Sequence, residues 1–228
     1  MEILYEDNHL IAVNKQVSDL VQPDATGDEV LGDRIKAYIK EKYHKPGEVF
    51  LGVVHRLDRP VTGVVIFART GKALSRMNEL FKDHRVRKTY WAVVRNKPPE
   101  EEASLVHYLH RDPAQNKSFA YPQPKGSARE ARLHYRLVGS TSNYYLLEID
   151  LQTGRHHQIR AQLSRIGSPI RGDLKYGYER SNPNGGIHLH ARMVRFIHPV
   201  KETEIQIIAQ PPADPLWDEF VRQAAGGE

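Results

Sequence analysis

An α+β fold is predicted, with a mixed and mostly antiparallel sheet flanked by helices. Three observations point to it. Most apolar residues fall in short runs bounded by polar turns, and only four segments place them at helical spacing. No internal repeat is present, and no linker is long enough to set off a second independent domain. At 228 residues the chain is large enough to bury a sizeable core, so residues 1–228 are expected as one domain.

The chain opens with a predicted hairpin, Ile3–Tyr5 and Leu10–Val13, turned by Glu6-Asp7-Asn8-His9. Leu31, Ile35, Tyr38 and Ile39 share one face of a helix over about 29–43, with Asp28 as its cap and Pro46-Gly47 as its stop. Val49–Val54 and Val64–Phe67 read as buried strands on either side of a polar loop, His55–Gly63. Thr70 caps a second helix carrying Leu74, Met77, Leu80 and Phe81, and Lys88–Arg95 follows as a strand. Residues 96–128 hold five prolines. They predict loops around a short strand near Leu105–Leu109, with a mobile stretch at Asp112–Gly126. Strands resume at Ala131–Val138 and Tyr145–Leu151. A third helix from about His156 turns Ile159, Leu163 and Ile166 inward and ends at Gly167. Ile187–Phe196 and Glu204–Ile208 are strands, and Asp214-Pro215 opens a last helix with Trp217, Phe220 and Val221 inward.

Composition removes several chemistries. The chain has no cysteine, which excludes disulfides, thiol catalysis and cysteine-based metal sites. No apolar run approaches the length of a transmembrane helix, and the acidic start Met1–Asp7 is unlike a signal peptide, so a cytoplasmic protein is expected. The net charge of +5 is unevenly spread. Residues 69–97 hold 9 basic and 2 acidic side chains and residues 152–180 hold 6 and 2, whereas residues 1–58 hold 7 and 11. Two basic blocks predict a central basic cleft and a polyanionic partner, most simply nucleic acid. A solvated basic face would look the same.

Three clusters carry chemistry. In the loop His55-Arg56-Leu57-Asp58-Arg59-Pro60-Val61-Thr62-Gly63, two arginines flank Asp58 and keep it ionised, able to act as nucleophile or base. An Asp that only caps a turn fits the same pattern. Thr153-Gly154 can open the third helix and set Arg155 near its positive end, where a cation needs a facing anion. Ile159 then points inward and Arg160 lies on another part of the face, as on any basic amphipathic helix. His188 and His190 alternate on a strand, so both imidazoles share a face, with Asp173 as a candidate third metal ligand.

Taken in order, these segments resemble the RluA-type pseudouridine synthases. His55-Arg56-Leu57-Asp58 matches the family's HRLD motif, Lys88-Thr89-Tyr90 its K-x-Y motif, and Thr153–Arg160 its TGRxHQIR motif. Pro169–Asp173 with Tyr176-Gly177, and Leu189-His190-Ala191, are lesser matches. The opening Ile3–Asp7 and Val13-Asn14-Lys15 also fits, so the likeness spans nearly the whole chain. Two departures stand out: Val61-Thr62-Gly63 where the family reads T-S-G, and Gln16-Val17-Ser18 where it reads P-x-G.

The resemblance implies an isomerase that converts uridine in rRNA or tRNA to pseudouridine as a monomer. No metal or cofactor is expected, because the reaction involves no net redox change. The resemblance also implies a catalytic domain without the separate N-terminal RNA-binding domain of many relatives. Asp58 would be the catalytic carboxylate, Tyr90 would lie against the uracil, and Arg155 would pair with Asp58. His55, Arg56, Lys88 and Arg160 would bind substrate RNA, with Arg56 helping to extrude the target nucleotide and Ile159 giving the uracil an apolar wall. Two rivals are a metal-dependent hydrolase built on His188, His190 and Asp173, and a non-catalytic RNA-binding protein.

Overall fold

The computed structural model describes residues 1–23 and 27–226. They form two compact units, each made from two stretches of chain. The first takes residues 1–86 and 192–210, and the second takes residues 87–191 and the described residues from 211 onward.

In the first unit, β1 (Glu2–Glu6) and β2 (Leu10–Lys15) form the expected hairpin, and β2 pairs antiparallel with β4 (Thr62–Ala68). Every residue of β2 and β4 is buried, which is why both read as continuous apolar runs rather than as an alternation. The strand expected before the polar loop shrinks to β3 (Gly52–Val53), paired with the end of β4. Two helices follow the predicted faces, α1 (Leu31–Lys42) and α2 (Gly71–Lys82). Thr70 caps α2 by accepting the Ala73 N–H at 3.1 Å. Asp28 does not cap α1: the helix begins after Val30, and the Asp28 carboxylate pairs with Arg59 at 2.6 Å. The core joins Leu10, Ile66, Met77 and Leu80 to Val194 and Phe196 of β10 (Leu189–Ile197) and Ile207 of β11 (Glu204–Ile208). β10 and β11 are an antiparallel pair.

The second unit is built on β5 (Arg87–Val94), β6 (Glu102–Asp112), β7 (Lys117–Tyr121), β8 (Arg129–Ser140) and β9 (Tyr145–Leu151). They lie in the order β5-β9-β8-β6-β7, all antiparallel. The segment expected to be irregular is thus a long hairpin. None of its prolines interrupts a strand: Pro98 and Pro99 precede β6, Pro113 is in the turn, and Pro122 and Pro124 follow β7. Asp112 closes the turn by accepting the N–H groups of Ala114 and Gln115 at 2.9 and 3.2 Å. Helix α3 (Gln158–Arg165) packs on this sheet, and the Leu174–Tyr176 turn is a short 3₁₀ helix. Helix α4 (Pro215–Ala225) starts on the Asp214 cap and packs Trp217 and Phe220 on Trp91, Val93 and Leu146. No helix among the described residues is long and apolar enough to cross a membrane.

Candidate active site

The loop that bears Asp58 belongs to the first unit and is fastened at both ends. At its start, His55 Nε2 accepts the Ile66 N–H at 3.0 Å while the ring stacks on Phe81 at 4.9 Å. An imidazole nitrogen that accepts a backbone bond is unprotonated, so that face of His55 is already committed. His55, expected at the RNA, is therefore an anchor of the loop. Leu57 is buried beneath it, and the Val61 N–H returns to the Asp58 carbonyl at 3.0 Å. Asp58 itself is half-buried, and Arg56 is exposed with Nη1 donating to Gln22 Oε1 at 3.1 Å.

The far end of the loop rests on a residue that sequence reasoning passed over. Lys15 closes β2 with its side chain fully buried, and its Nζ donates to the carbonyls of Gln16, Arg59 and Val61 at 3.0, 3.0 and 2.7 Å. A charge closing a strand that opens on the apolar run Leu10–Val13 was the signal that could have found it. Burial pushes the Lys15 pKa down from 10.5 to about 8, while the charges of Asp19 and Asp58 pull it back up. Folded Lys15 therefore releases its proton near pH 8 and the unfolded chain near 10.5. Between these values the unfolded state holds more protons, so stability rises with pH. Against a Lys15→Met variant, wild type should gain about 3 kcal/mol across this window. Urea midpoints of the two proteins at several pH values check this, and a pH-independent difference would overturn it.

The remaining candidates lie in the second unit. Lys88 and Tyr90 sit on β5, where Tyr90 pairs with Ile149 of β9 and is nearly buried. Burial lowers the Lys88 pKa, and Asp150 opposes the shift. Past β9 the chain turns before α3, and the Gln158 side chain organises that turn. Gln158 Oε1 accepts from Thr153 Oγ1 at 2.8 Å and from the Arg155 N–H at 3.0 Å, and its Nε2 donates to the Arg132 carbonyl at 3.0 Å. Arg155 is exposed, with Nε fixed on the Glu130 carbonyl at 3.0 Å. It precedes the helix rather than opening it. His157 has φ +52°, a left-handed conformation that no residue inside a right-handed helix can hold, so α3 begins only at Gln158. Residues rarely adopt this conformation unless their neighbours enforce it. Here His157 Nδ1 lies 2.9 Å from the Tyr176 hydroxyl, which also accepts the Ser118 N–H at 2.8 Å.

Arg160 departs from its expected place on the RNA side. Its Nε and Nη2 bind both oxygens of Asp173 at 2.7 and 2.9 Å, with 6% of one side chain and 1% of the other exposed. The guanidinium also lies over the Tyr176 ring at 5.0 Å. An arginine committed to a buried fork cannot also reach solvent, so Arg160 holds the 169–177 loop onto α3. Ile159 is buried on the same helix. The metal-site rival loses its ligands the same way. Asp173 is taken by Arg160, and His188 lies between Asn182 Nδ2 at 2.9 Å and Arg171 Nη1 at 2.8 Å. His188 stacks on Trp217 at 5.2 Å, and His190 packs on the same indole at 6.1 Å. Among the described residues no group of three or more His, Asp or Glu side chains could hold a metal ion.

Comparison with known proteins places this arrangement in a family. Residues 9–165 match the family model described as RNA pseudouridylate synthase. An uncharacterized RNA pseudouridine synthase of Synechocystis is 34% identical over 216 residues, covering 93% of this chain and 66% of the relative. The ribosomal large subunit pseudouridine synthase D of Zymomonas mobilis is 30% identical over 224 residues, covering 94% and 70%. The chain thus spans about two thirds of the length of these relatives. Human RNA pseudouridylate synthase domain containing 4 shares the fold, with a TM-score of 0.77 at 24% identity over 98% of this chain and 93% of that one. By the family model and by its relatives, the chain belongs to the RNA pseudouridylate synthase family.

Proposed function

We propose that the protein isomerises uridine to pseudouridine in structured rRNA or tRNA, with Asp58 as the catalytic carboxylate. The observation that carries this reading is the fastening of the Asp58 loop by Lys15 and His55, which holds a half-buried carboxylate in one orientation. Such preorganisation is what a group acting on a reacting sugar or base requires. The reaction breaks the bond from ribose C1′ to uracil N1 and forms one from C1′ to C5. The proton lost from C5 is balanced by one gained at N1, so no electrons are exchanged. Tyr90, at the edge of the buried core, is the candidate for contact with the uracil and for moving that proton. Arg155 is the candidate counter-charge of the carboxylate, and Arg56 and Lys88 contribute to RNA binding. The direct test maps pseudouridine in RNA from cells with and without the gene. Loss of one or more sites is expected, and an unchanged map would overturn the reading.

Arg155 allows a finer test. A guanidinium offers a planar fork to both carboxylate oxygens, whereas an ammonium offers a point charge. Arg155→Lys is expected to fold and bind RNA but to lose most turnover, and Arg155→Ala to lose more. Retained turnover with only a salt-dependent loss of binding would instead make Arg155 a phosphate contact.

A further inference from the structure

Beyond the end of β5, five residues past Tyr90, the second unit holds a cavity of about 460 Å³ that the proposed chemistry does not use. Its lining includes Arg95, Arg171 and Arg180, the phenols Tyr144 and Tyr178, and one carboxylate, Glu179. The position follows from the ladder: Val94 pairs with Tyr145, so Arg95 and Tyr144 flank the ends of β5 and β9. The Arg171 N–H donates to the Val93 carbonyl at 2.9 Å, and the His188 N–H donates to the Arg171 carbonyl at 2.9 Å, which pins Arg171 beside them.

The charges here are poorly neutralised. Arg171 lies over the Tyr144 ring at 5.2 Å, with Nη1 2.8 Å from His188 Nε2. His188 is buried, and burial together with Arg171 pushes its pKa down to about 4, so it meets Arg171 as a neutral ring. Asp214 is 3.9 Å from Arg171 and already accepts the Leu216 and Trp217 N–H groups at the start of α4. Arg95 reaches Glu179 at 3.2 Å, but these side chains are 56% and 75% exposed, and a pair so solvated contributes little and yields readily. Arg180 is exposed at the rim. Three guanidiniums with two aromatic rings suit a phosphate with an adjoining base, and the volume is that of a small-ligand site.

We propose that this cavity is a second phosphate site, taking a backbone phosphate of the substrate RNA against Arg95, Arg171 and Arg180. The proposal rests on the RNA reading above. From Tyr90 to Arg95 the strand advances five residues, about 17 Å, so the occupant is a different nucleotide from the one at Tyr90. The Tyr178 hydroxyl is pushed up to about 12 by burial and by its hydrogen bond to Tyr144, so it stays protonated and adds no negative charge to the cavity.

The test uses the full chain and an Arg95→Ala/Arg180→Ala double variant, both positions being exposed. Binding to a uridine-rich 20-nucleotide single strand is measured from 50 to 200 mM salt. Loss of two phosphate contacts should lower the log–log slope by about 1.4, so the affinity penalty shrinks about sevenfold over that range. Arg222→Ala, on α4 outside the cavity, should keep the wild-type slope. An unchanged slope in the double variant, or an equal loss in Arg222→Ala, overturns the proposal. Calorimetry with uridine 5′-monophosphate and with inorganic phosphate separates the sources. Binding lost in the double variant with no change in RNA slope would make the occupant a free nucleotide or phosphate, which also overturns it. Tritium release by the wild type from C5-labelled uridine in RNA reports separately on the catalytic reading.

Discussion

Asp58→Asn is expected to lose about 10³–10⁴-fold in turnover, the upper range for removing a positioned acid or base, while RNA binding stays close to wild type. The amide keeps the shape of the carboxylate but carries no charge and cannot take a proton or attack an electrophile. The loop should be undisturbed. Its fastenings run through the His55 ring and the carbonyls of Gln16, Arg59 and Val61, none of which the substitution touches. Tritium release from C5-labelled uridine in RNA is the readout, with binding measured in parallel. Release near the wild-type rate would remove Asp58 from the chemistry.

The largest effect on stability should come from Asp173→Ala. Arg160 would keep its charge in a site where only 6% of its side chain meets solvent, with both of its fork contacts gone. Removing one member of a buried ion pair typically costs about 3–5 kcal/mol. For a chain of this size that lowers Tm by roughly 6–20 °C. Replacing both members, as in Arg160→Met/Asp173→Leu, should recover most of the loss, because no charge is then stranded. If Asp173→Ala melts within about 2 °C of wild type, the pair is dispensable and Arg160 is free for another role.

The contrast between these residues shows what a sequence can display. Helix α2 was legible because its determinants are local: Thr70 as cap, then Met77 and Leu80 at helical spacing. The polar loop around Asp58 was equally legible, since apolar runs bound it on both sides. The β6–β7 hairpin was not, because proline density counted over a window hides where each proline falls. Lys15 was missed for a different reason. Two of its three carbonyl partners lie 44 and 46 residues away, and nothing in the spacing of Asn14-Lys15 announces them. Arg160 and Asp173 were each assigned to an external ligand, and they satisfy each other. Charge in a sequence marks a need for a counter-charge, and the fold decides whether the protein or its substrate provides it.

The tracing of the chain through its two units bears on how the protein is made. The first unit is not complete until residues 192–210 have been added, and the second needs α4, which follows them. A ribosome that has synthesised residues 1–190 has therefore finished neither. Phe196 and Ile207 are still missing from one core, and Trp217 and Phe220 from the other. Contacts this distant in sequence slow folding and leave apolar strands exposed in the meantime. β2 and β4, buried along their whole length in the finished fold, are the segments most in need of cover while the nascent chain waits for residues 192–210.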